Sequence, residues 1–174
     1  YRGDSVLPET DVDVTFADLP LLETIHESIR RAGFERPTPI QAACIPPALE
    51  GKDVIGLAQT GTGKTAAVSI PIIQRLANRP ELGGLILAPT RELAAQITTM
   101  LNDLGRESGI RVATIVGGVK MDEDFFALRS WPNVLVATPG RLLDHIENEG
   151  LTLDEIEVFA VDEADRMHDM GFIP

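Results

Sequence analysis

Continuously apolar runs and helical stretches alternate along the chain. The runs LILA from Leu85 and VLVA from Val134 show no alternation with polar residues, which is typical of strands buried on both faces of a sheet. By the same pattern, strands are predicted at 53–57, 84–88, 111–116, 134–137 and 157–161.

Helices are predicted before and between these strands. Leu22, Ile25 and Ile29 recur at helical spacing after Pro20, and Gly33 marks the end of that helix. Further helices are predicted at 39–49, 64–77, 91–108, 121–130 and 139–148. Strands that alternate with helices predict an α/β fold, with a parallel sheet of at least five strands and helices on both faces.

The first 15 residues are acidic and show no period, so we expect a tail over 1–15 and one domain over 16–174. The chain has no apolar run of the ~20 residues that span a bilayer. Cys44 is its one cysteine, which excludes an internal disulfide and favours a reducing compartment. We therefore expect a cytoplasmic protein without a membrane segment. Because the chain begins with Tyr1 rather than Met, we also expect a piece of a longer protein.

The net charge is -12, from 15 basic and 27 acidic residues. Taken alone, this charge argues against nucleic acid as a partner, because phosphate backbones are bound by Lys and Arg. Net charge describes the whole surface and not one face, so the position of the basic groups decides the question.

A candidate phosphate-binding loop follows the first predicted strand. The stretch AQTGTGKT, from Ala58 to Thr65, leads from that strand into a helix. Its glycines permit a tight turn, and backbone N–H groups at the start of the helix attract anions. Lys64 is placed to reach the β- and γ-phosphates of a nucleotide, and the hydroxyl of Thr65 is placed to bind Mg²⁺.

Three other predicted strands end in residues that suit an anion. Helix-capping threonines, glycines and arginines follow these strands, and the carboxyl ends of parallel strands lie at one edge of a sheet. These ends predict a track for a sugar-phosphate backbone, held by helix N-termini and arginines. The residues concerned are Pro89, Thr90, Arg91, Gly117, Gly118, Thr138, Pro139, Gly140 and Arg141.

The last predicted strand ends in a cluster of acids. Asp162, Glu163 and Asp165 lie within four residues, and like charges so close together favour a cation between them. Beside a phosphate loop, Asp162 is placed to hold Mg²⁺, and Glu163 to orient or deprotonate an attacking water. We therefore predict Lys64, Asp162 and Glu163 as the catalytic residues.

These motifs, in this order, resemble the DEAD-box ATP-dependent RNA helicases and specifically their first RecA-like domain. The resemblance rests on Asp162-Glu163-Ala164-Asp165, AQTGTGKT, PTREL from Pro89, the Gly117-Gly118 pair and TPGR from Thr138. Upstream, GFERPTPIQ from Gly33 resembles the adenine-binding Q motif of that family, with Phe16 as its isolated aromatic residue.

The resemblance implies a role for each matched residue, with ATP and Mg²⁺ as cofactors. Gln41 would hydrogen-bond the adenine edge, Phe34 and Arg36 would pack around the base, and Thr38 would support the loop. Asp165 would make a contact between motifs or domains. The implied ATP-binding residues are Phe34, Arg36, Thr38, Gln41, Gln59, Thr60, Gly61, Thr62, Gly63, Lys64 and Thr65. The implied RNA-binding residues are Pro89, Thr90, Arg91, Gly118, Thr138 and Arg141.

The resemblance also implies parts that this chain lacks. The family's SAT motif and its second RecA-like domain, which supplies an arginine finger, would follow beyond Pro174. We therefore expect the chain alone to bind nucleotide and to hydrolyse it barely. Two other functions stay open: a P-loop ATPase that acts on DNA or protein, and a non-catalytic scaffold that binds ATP or RNA.

Overall fold

The computed structural model describes residues 14–58, 61 and 63–164 of the 174-residue chain. Most of the predicted tail lies outside these residues, as do Gln59, Thr60, Thr62 and Asp165.

A four-stranded parallel sheet forms the centre of the described domain. Its strands are β1 (Gly84–Leu87), β2 (Val112–Ile115), β3 (Val134–Ala137) and β4 (Val158–Val161), in the spatial order β2-β3-β1-β4. Leu87 is level with Ala137 and with Val161, and Ile115 is level with Ala137. The carboxyl ends of all four strands therefore lie at one edge of the sheet.

The predicted sheet of at least five strands was wrong. Residues 53–57 form no strand, and the side chains of Ile55 and Leu57 are 87% and 91% exposed. A strand needs a neighbour to accept and donate its backbone hydrogen bonds. In the described residues this segment pairs with none of the four strands, although β2 and β4 each have one free edge. An apolar composition therefore does not by itself make a strand.

Six α-helices lie before and between the strands in the described residues. They begin and end within two residues of the predicted bounds, except that the predicted helix over 91–108 ends in a separate 3₁₀ turn, Arg106–Ser108. The helices are α1 (Glu23–Arg31), α2 (Pro39–Leu49), α3 (Lys64–Leu76), α4 (Arg91–Gly105), α5 (Met121–Arg129) and α6 (Pro139–Asn148).

Successive residues of each strand point to opposite faces of the sheet, and both faces are covered. Ile86 and Val136 pack with residues of α1, α3 and α4 in one apolar cluster. Leu85 and Leu135 pack with Leu142 of α6 in a second cluster. The prediction of helices on both faces is therefore confirmed, and it explains why the central strands β1 and β3 carry no polar side chain.

Candidate functional site

The phosphate loop ends at the N-terminus of α3. Gly63 precedes that helix with φ +87°, a left-handed conformation that favours glycine. A Cβ atom on Gly63 would lie 2.3 Å from Nε2 of Gln41, so the space beside it is closed to any side chain. Lys64 and Thr65 occupy the first turn of α3 and are half-buried. The N-terminus of α3 therefore presents backbone N–H groups beside these two side chains.

Gln41 ties the predicted adenine-binding segment to this loop. Its Oε1 atom accepts a hydrogen bond from the N–H of Thr38 at 3.0 Å, and its Nε2 atom donates to the carbonyl of Gly63 at 3.1 Å. The side chain is buried, with 4% exposure. The hydroxyl of Thr38 is buried without a hydrogen-bond partner in the described part of the chain. Both residues thus lie directly against the phosphate loop.

An open cleft of about 530 Å³ lies beside Phe34 and Arg36, two of the predicted base-binding residues, whereas Gln41 is not among the residues that line it. Phe16, Phe34 and Arg36 are among the residues that line it, together with His26 and Arg30. The ring centroids of Phe16 and Phe34 are 6.3 Å apart, and the N–H of Phe16 donates to the carbonyl of Glu35 at 3.2 Å. The volume is of the size that holds small ligands.

Asp162 leaves the sheet directly after β4. Its backbone N–H donates to the carbonyl of Leu87 at 3.0 Å, and its side chain is buried with 5% exposure. Burial raises the pKa of this carboxyl above its usual range, and the Glu163 carboxylate adds to the rise. A hydrogen bond from the Glu163 backbone and the charge of Lys64 act in the opposite direction. Lys64 and Asp162, both predicted as catalytic residues, are therefore close enough for the charge of Lys64 to affect the pKa of Asp162.

Glu163 has a left-handed backbone with φ +52°, which is unusual for a residue with a long side chain. Such conformations persist where the surrounding structure imposes them, and they cluster at functional sites. Its side chain is half-buried beside that of Asp162.

These groups fit a bound magnesium ion. A buried carboxylate whose pKa is raised by desolvation gains when a cation replaces the lost water. Thr65 and Asp162 would supply its oxygen ligands, and phosphate oxygens and water usually complete such sites. Among the described residues, no group of three or more histidine, cysteine, aspartate or glutamate side chains is arranged to hold a metal ion.

The residues predicted to contact RNA meet at the same edge of the sheet. Thr90 begins α4 and its Oγ1 accepts from the N–H of Leu93 at 3.2 Å. Arg91 is exposed, and a Cβ atom on Gly118 would lie 2.7 Å from its Nη1 atom. Gly118 itself has φ +87°. Pro89, also predicted to contact RNA, is buried.

The loop after β2 is tied to the start of α6. The N–H of Gly117 donates to Oγ1 of Thr138 at 3.3 Å, although Thr138 makes no side-chain cap on its own helix. Arg141 reaches the same loop, because its Nη2 atom donates to the carbonyl of Val119 at 2.6 Å. The three predicted anion-binding ends are thus one connected surface in the structure.

Two buried residues of this region were not predicted. Asp124 of α5 accepts hydrogen bonds on Oδ2 from Nε of Arg141 at 2.5 Å and lies 2.7 Å from Nε2 of His145. Asp124 is 1% exposed and His145 is fully buried. The sequence signal was a charged residue on the apolar stripe of Met121, Phe125 and Leu128, within an acidic run that resembles a solvated helix start.

Comparison with known proteins identifies the family of this chain. Residues 38–174 match the family described as DEAD/DEAH box helicase. The chain is 49% identical over 175 residues to an ATP-dependent rRNA helicase RRP3 of Ajellomyces capsulatus, covering 99% of this chain and 36% of the relative. It is 51% identical over 176 residues to RRP3 of Yarrowia lipolytica, covering 100% and 37%. The chain thus spans about a third of the length of these relatives.

Solved structures show the same fold. A DEAD box protein from Methanococcus jannaschii superposes with a TM-score of 0.84 at 38% identity, over 91% of this chain and 44% of that one. The RNA helicase Prp28 from Chaetomium thermophilum bound to ADP superposes with a TM-score of 0.79 at 43% identity, over 87% and 39%. No described helix is long and apolar enough to cross a bilayer. With the ordered motifs at one edge of a RecA-like sheet, the chain belongs to the DEAD/DEAH box helicase family.

Proposed function

We propose that this chain is the ATP-binding half of an ATP-dependent RNA helicase, in which RNA-stimulated hydrolysis of Mg-ATP drives local opening of an RNA duplex. The observation that carries the proposal is the meeting of Lys64, buried Asp162 and the N-terminus of α3 at the edge that also carries Arg91 and Gly118. Because the proposed nucleotide site and the proposed RNA-binding surface share one edge of the sheet, binding at one can affect binding at the other.

At the proposed nucleotide-binding site, backbone N–H groups of the loop and the ammonium of Lys64 would hold the phosphates. Thr65 and Asp162 would hold Mg²⁺, which neutralises charge on the phosphates when bound. Glu163 would orient the attacking water and accept its proton. The cleft beside Phe34 and Arg36 would take the base, with Gln41 between base and phosphate loop as a hydrogen-bonding group. Gln59, Thr60 and Thr62 stay predicted members of this loop, and Asp165 stays a predicted contact residue.

At the second surface, RNA would be bound through its backbone, with little reading of sequence. Thr90, Arg91, Gly118, Thr138 and Arg141 follow three strands and present helix N-termini, glycine backbone and guanidinium groups. This placement concentrates basic groups on one edge of a chain whose net charge is -12.

The complete helicase, as we propose it, joins this chain to a second RecA-like domain that closes over the nucleotide. The relatives are about three times as long as this chain, which leaves room for such a domain. Because those relatives are named rRNA helicases, ribosomal RNA is the first substrate to test. A cytoplasmic location stays a prediction, which a fluorescent fusion would test.

The proposal is tested by steady-state ATP hydrolysis of the complete helicase, with and without single-stranded RNA, beside its Glu163→Gln variant. We expect RNA to stimulate turnover, and the variant to lose at least about a hundredfold in rate at unchanged ATP affinity, because removal of a general base costs 10²–10⁴-fold. Glu147→Gln, on the exposed side of α6, is the matched control and should behave as wild type.

The two other functions give different results in the same assay. Stimulation by DNA in preference to RNA would indicate an ATPase that acts on DNA. Turnover that is absent, or indifferent to both RNA and Glu163, would leave a binding module without the proposed chemistry.

A further inference from the structure

A buried charge cluster joins α5 to α6 behind the surface proposed to bind RNA. Asp124 is its centre, because one oxygen, Oδ2, receives both Nε of Arg141 at 2.5 Å and Nε2 of His145 at 2.7 Å. The Arg141 side chain is 13% exposed, and that of Asp124 is 2% exposed. The rings of Phe125 and His145 are nearly perpendicular, with 5.8 Å between their centroids.

The guanidinium of Arg141 connects this buried cluster to the surface proposed to bind RNA. While Nε of Arg141 is held by Asp124, its Nη2 donates to the carbonyl of Val119 at 2.6 Å. Val119 directly follows Gly118, whose Cα faces the guanidinium of Arg91. The backbone of the loop between β2 and α5 is thus held at Val119 by Arg141 and at Gly117 by Thr138.

From this geometry we infer that Asp124 is a positioning residue for RNA binding: it orients Arg141, which in turn holds the Gly117–Val119 loop in the shape that the RNA backbone meets. The inference rests on the proposed function. It gives Arg141 a positioning role in place of the direct RNA contact proposed above, because its Nε and Nη2 donors are both engaged within the protein. Charge-assisted hydrogen bonds of this kind are short and directional, so they fix geometry as well as contribute stability.

Two simpler roles make different predictions. If Arg141 bound RNA directly, Asp124 would compete with phosphate for its charge, and removal of the Asp124 charge would tighten RNA binding. If the cluster only joined α5 to α6, its loss would lower the melting temperature without a selective effect on RNA.

The first test is Asp124→Asn in the complete helicase, assayed for RNA-stimulated ATP hydrolysis at varied RNA and varied ATP. We expect the half-saturating RNA concentration to rise about tenfold, the effect of losing one charge-assisted hydrogen bond. The KM for ATP and the kcat at saturating RNA should stay within about twofold of wild type, because Lys64, Asp162 and Glu163 are untouched.

The second test is Arg141→Lys, which keeps the positive charge but cannot bridge Asp124 and the Val119 carbonyl with one planar fork. We expect a similar rise in the half-saturating RNA concentration. The double variant Asp124→Asn/Arg141→Lys should need no more RNA for half-saturation than the single variant that needs the more. Such non-additivity is the signature of residues that act as one unit. It also keeps the inference testable through Arg141→Lys alone if Asp124→Asn fails to fold.

The control is Glu107→Gln, which breaks the exposed 2.7 Å ion pair with Arg31 at the opposite edge of the sheet and should leave RNA binding unchanged. Tighter RNA binding by Asp124→Asn, an unchanged RNA requirement, or an equal loss of kcat and ATP affinity would each overturn the inference. A wild-type helicase without RNA stimulation would instead overturn the proposed function, so the two failures are distinguishable.

Discussion

At the scale of single residues, Gly63 shows why glycine is needed in the phosphate loop. Its φ of +87° is left-handed, and the closed space beside it belongs to the Gln41 amide. Gly61 has nearly the same φ, +84°, but no atom lies within 4 Å of a Cβ built there. A substitution at Gly61 would therefore meet backbone strain alone, whereas one at Gly63 would meet both backbone strain and a steric clash with Gln41.

Gly63→Ala should lower the free energy of unfolding more than Gly61→Ala, measured by urea unfolding without nucleotide. For Gly61→Ala we expect a loss of about 1–2 kcal/mol, from the left-handed conformation alone. Gly63→Ala should add about 1–3 kcal/mol, because it must also displace the Gln41 side chain. An equal loss of unfolding free energy in the two variants would show that the Gln41 side chain moves aside without an energetic cost.

A second residue-scale feature is the buried carboxyl of Asp162. Its folded-state pKa is raised by burial above the usual value of 3.8. The cost of burying the charge is therefore absent below the unfolded-state pKa and is fully present once the pH exceeds the folded-state pKa. Ionisation of Asp162 thus lowers the stability of the metal-free chain at neutral pH.

Asp162→Asn should accordingly raise the melting temperature of the chain at pH 7 in the presence of a chelator, by about 2 °C. The difference from wild type should narrow as the pH is lowered toward 4, where the wild-type carboxyl takes up its proton. Exposed Asp154→Asn is the control and should show no such pH-dependent gain. A gain of the same size at both pH values would contradict the assignment to charge burial.

At the scale of elements, the ends of strands and helices are connected by a few buried polar groups. Asn133, fully buried before β3, donates from Nδ2 to the carbonyls of Leu76, Arg79 and Gly109. Its Oδ1 accepts from the N–H of Arg111 at 2.8 Å. One side chain thus joins the end of α3, the turn after it and the start of β2.

Asn133→Ala should lower the free energy of unfolding by about 3–5 kcal/mol, because it leaves several buried backbone groups unsatisfied. Asn148→Ala is the matched control, since its side chain bonds to Asp144 at the exposed end of α6 and should cost at most about 0.5 kcal/mol. Urea unfolding of both variants measures the difference. Similar values for the two would mean that water replaces the Asn133 amide.

At the scale of the whole molecule, the proposed function requires an acidic chain to present one edge that binds anions. Arg91 and Arg141 follow the ends of β1 and β3 at one edge of the sheet, and Lys64 lies near Asp162, which follows β4 at the same edge. An acidic surface elsewhere restricts favourable contact with phosphates to that edge.

The isolated chain should bind ATP but hydrolyse it at least about a thousandfold more slowly than the complete helicase, the effect ascribed to an arginine finger supplied from outside. Phosphate release by the chain, followed with and without RNA beside the complete helicase, measures this. Addition of the separate second domain should restore part of the rate. Comparable turnover by the chain alone would mean that its own residues suffice.

The sequence by itself determined the family, the six helices of the described residues and four of the five predicted strands. These features are local: apolar period predicts each element, and motifs such as AQTGTGKT carry their chemistry within a few residues. The family assignment and the helices on both faces were confirmed on this basis.

Only the tertiary structure decided which segments pair and which charges meet. Residues 53–57 have the composition of a strand, yet pairing depends on a neighbour that composition does not reveal, and the described sheet has four strands rather than five. Asp124 and Arg141 are 17 residues apart in sequence, and their ion pair exists because α5 and α6 cover the same face of the sheet. Long-range contacts of this kind follow from packing, which no local pattern encodes.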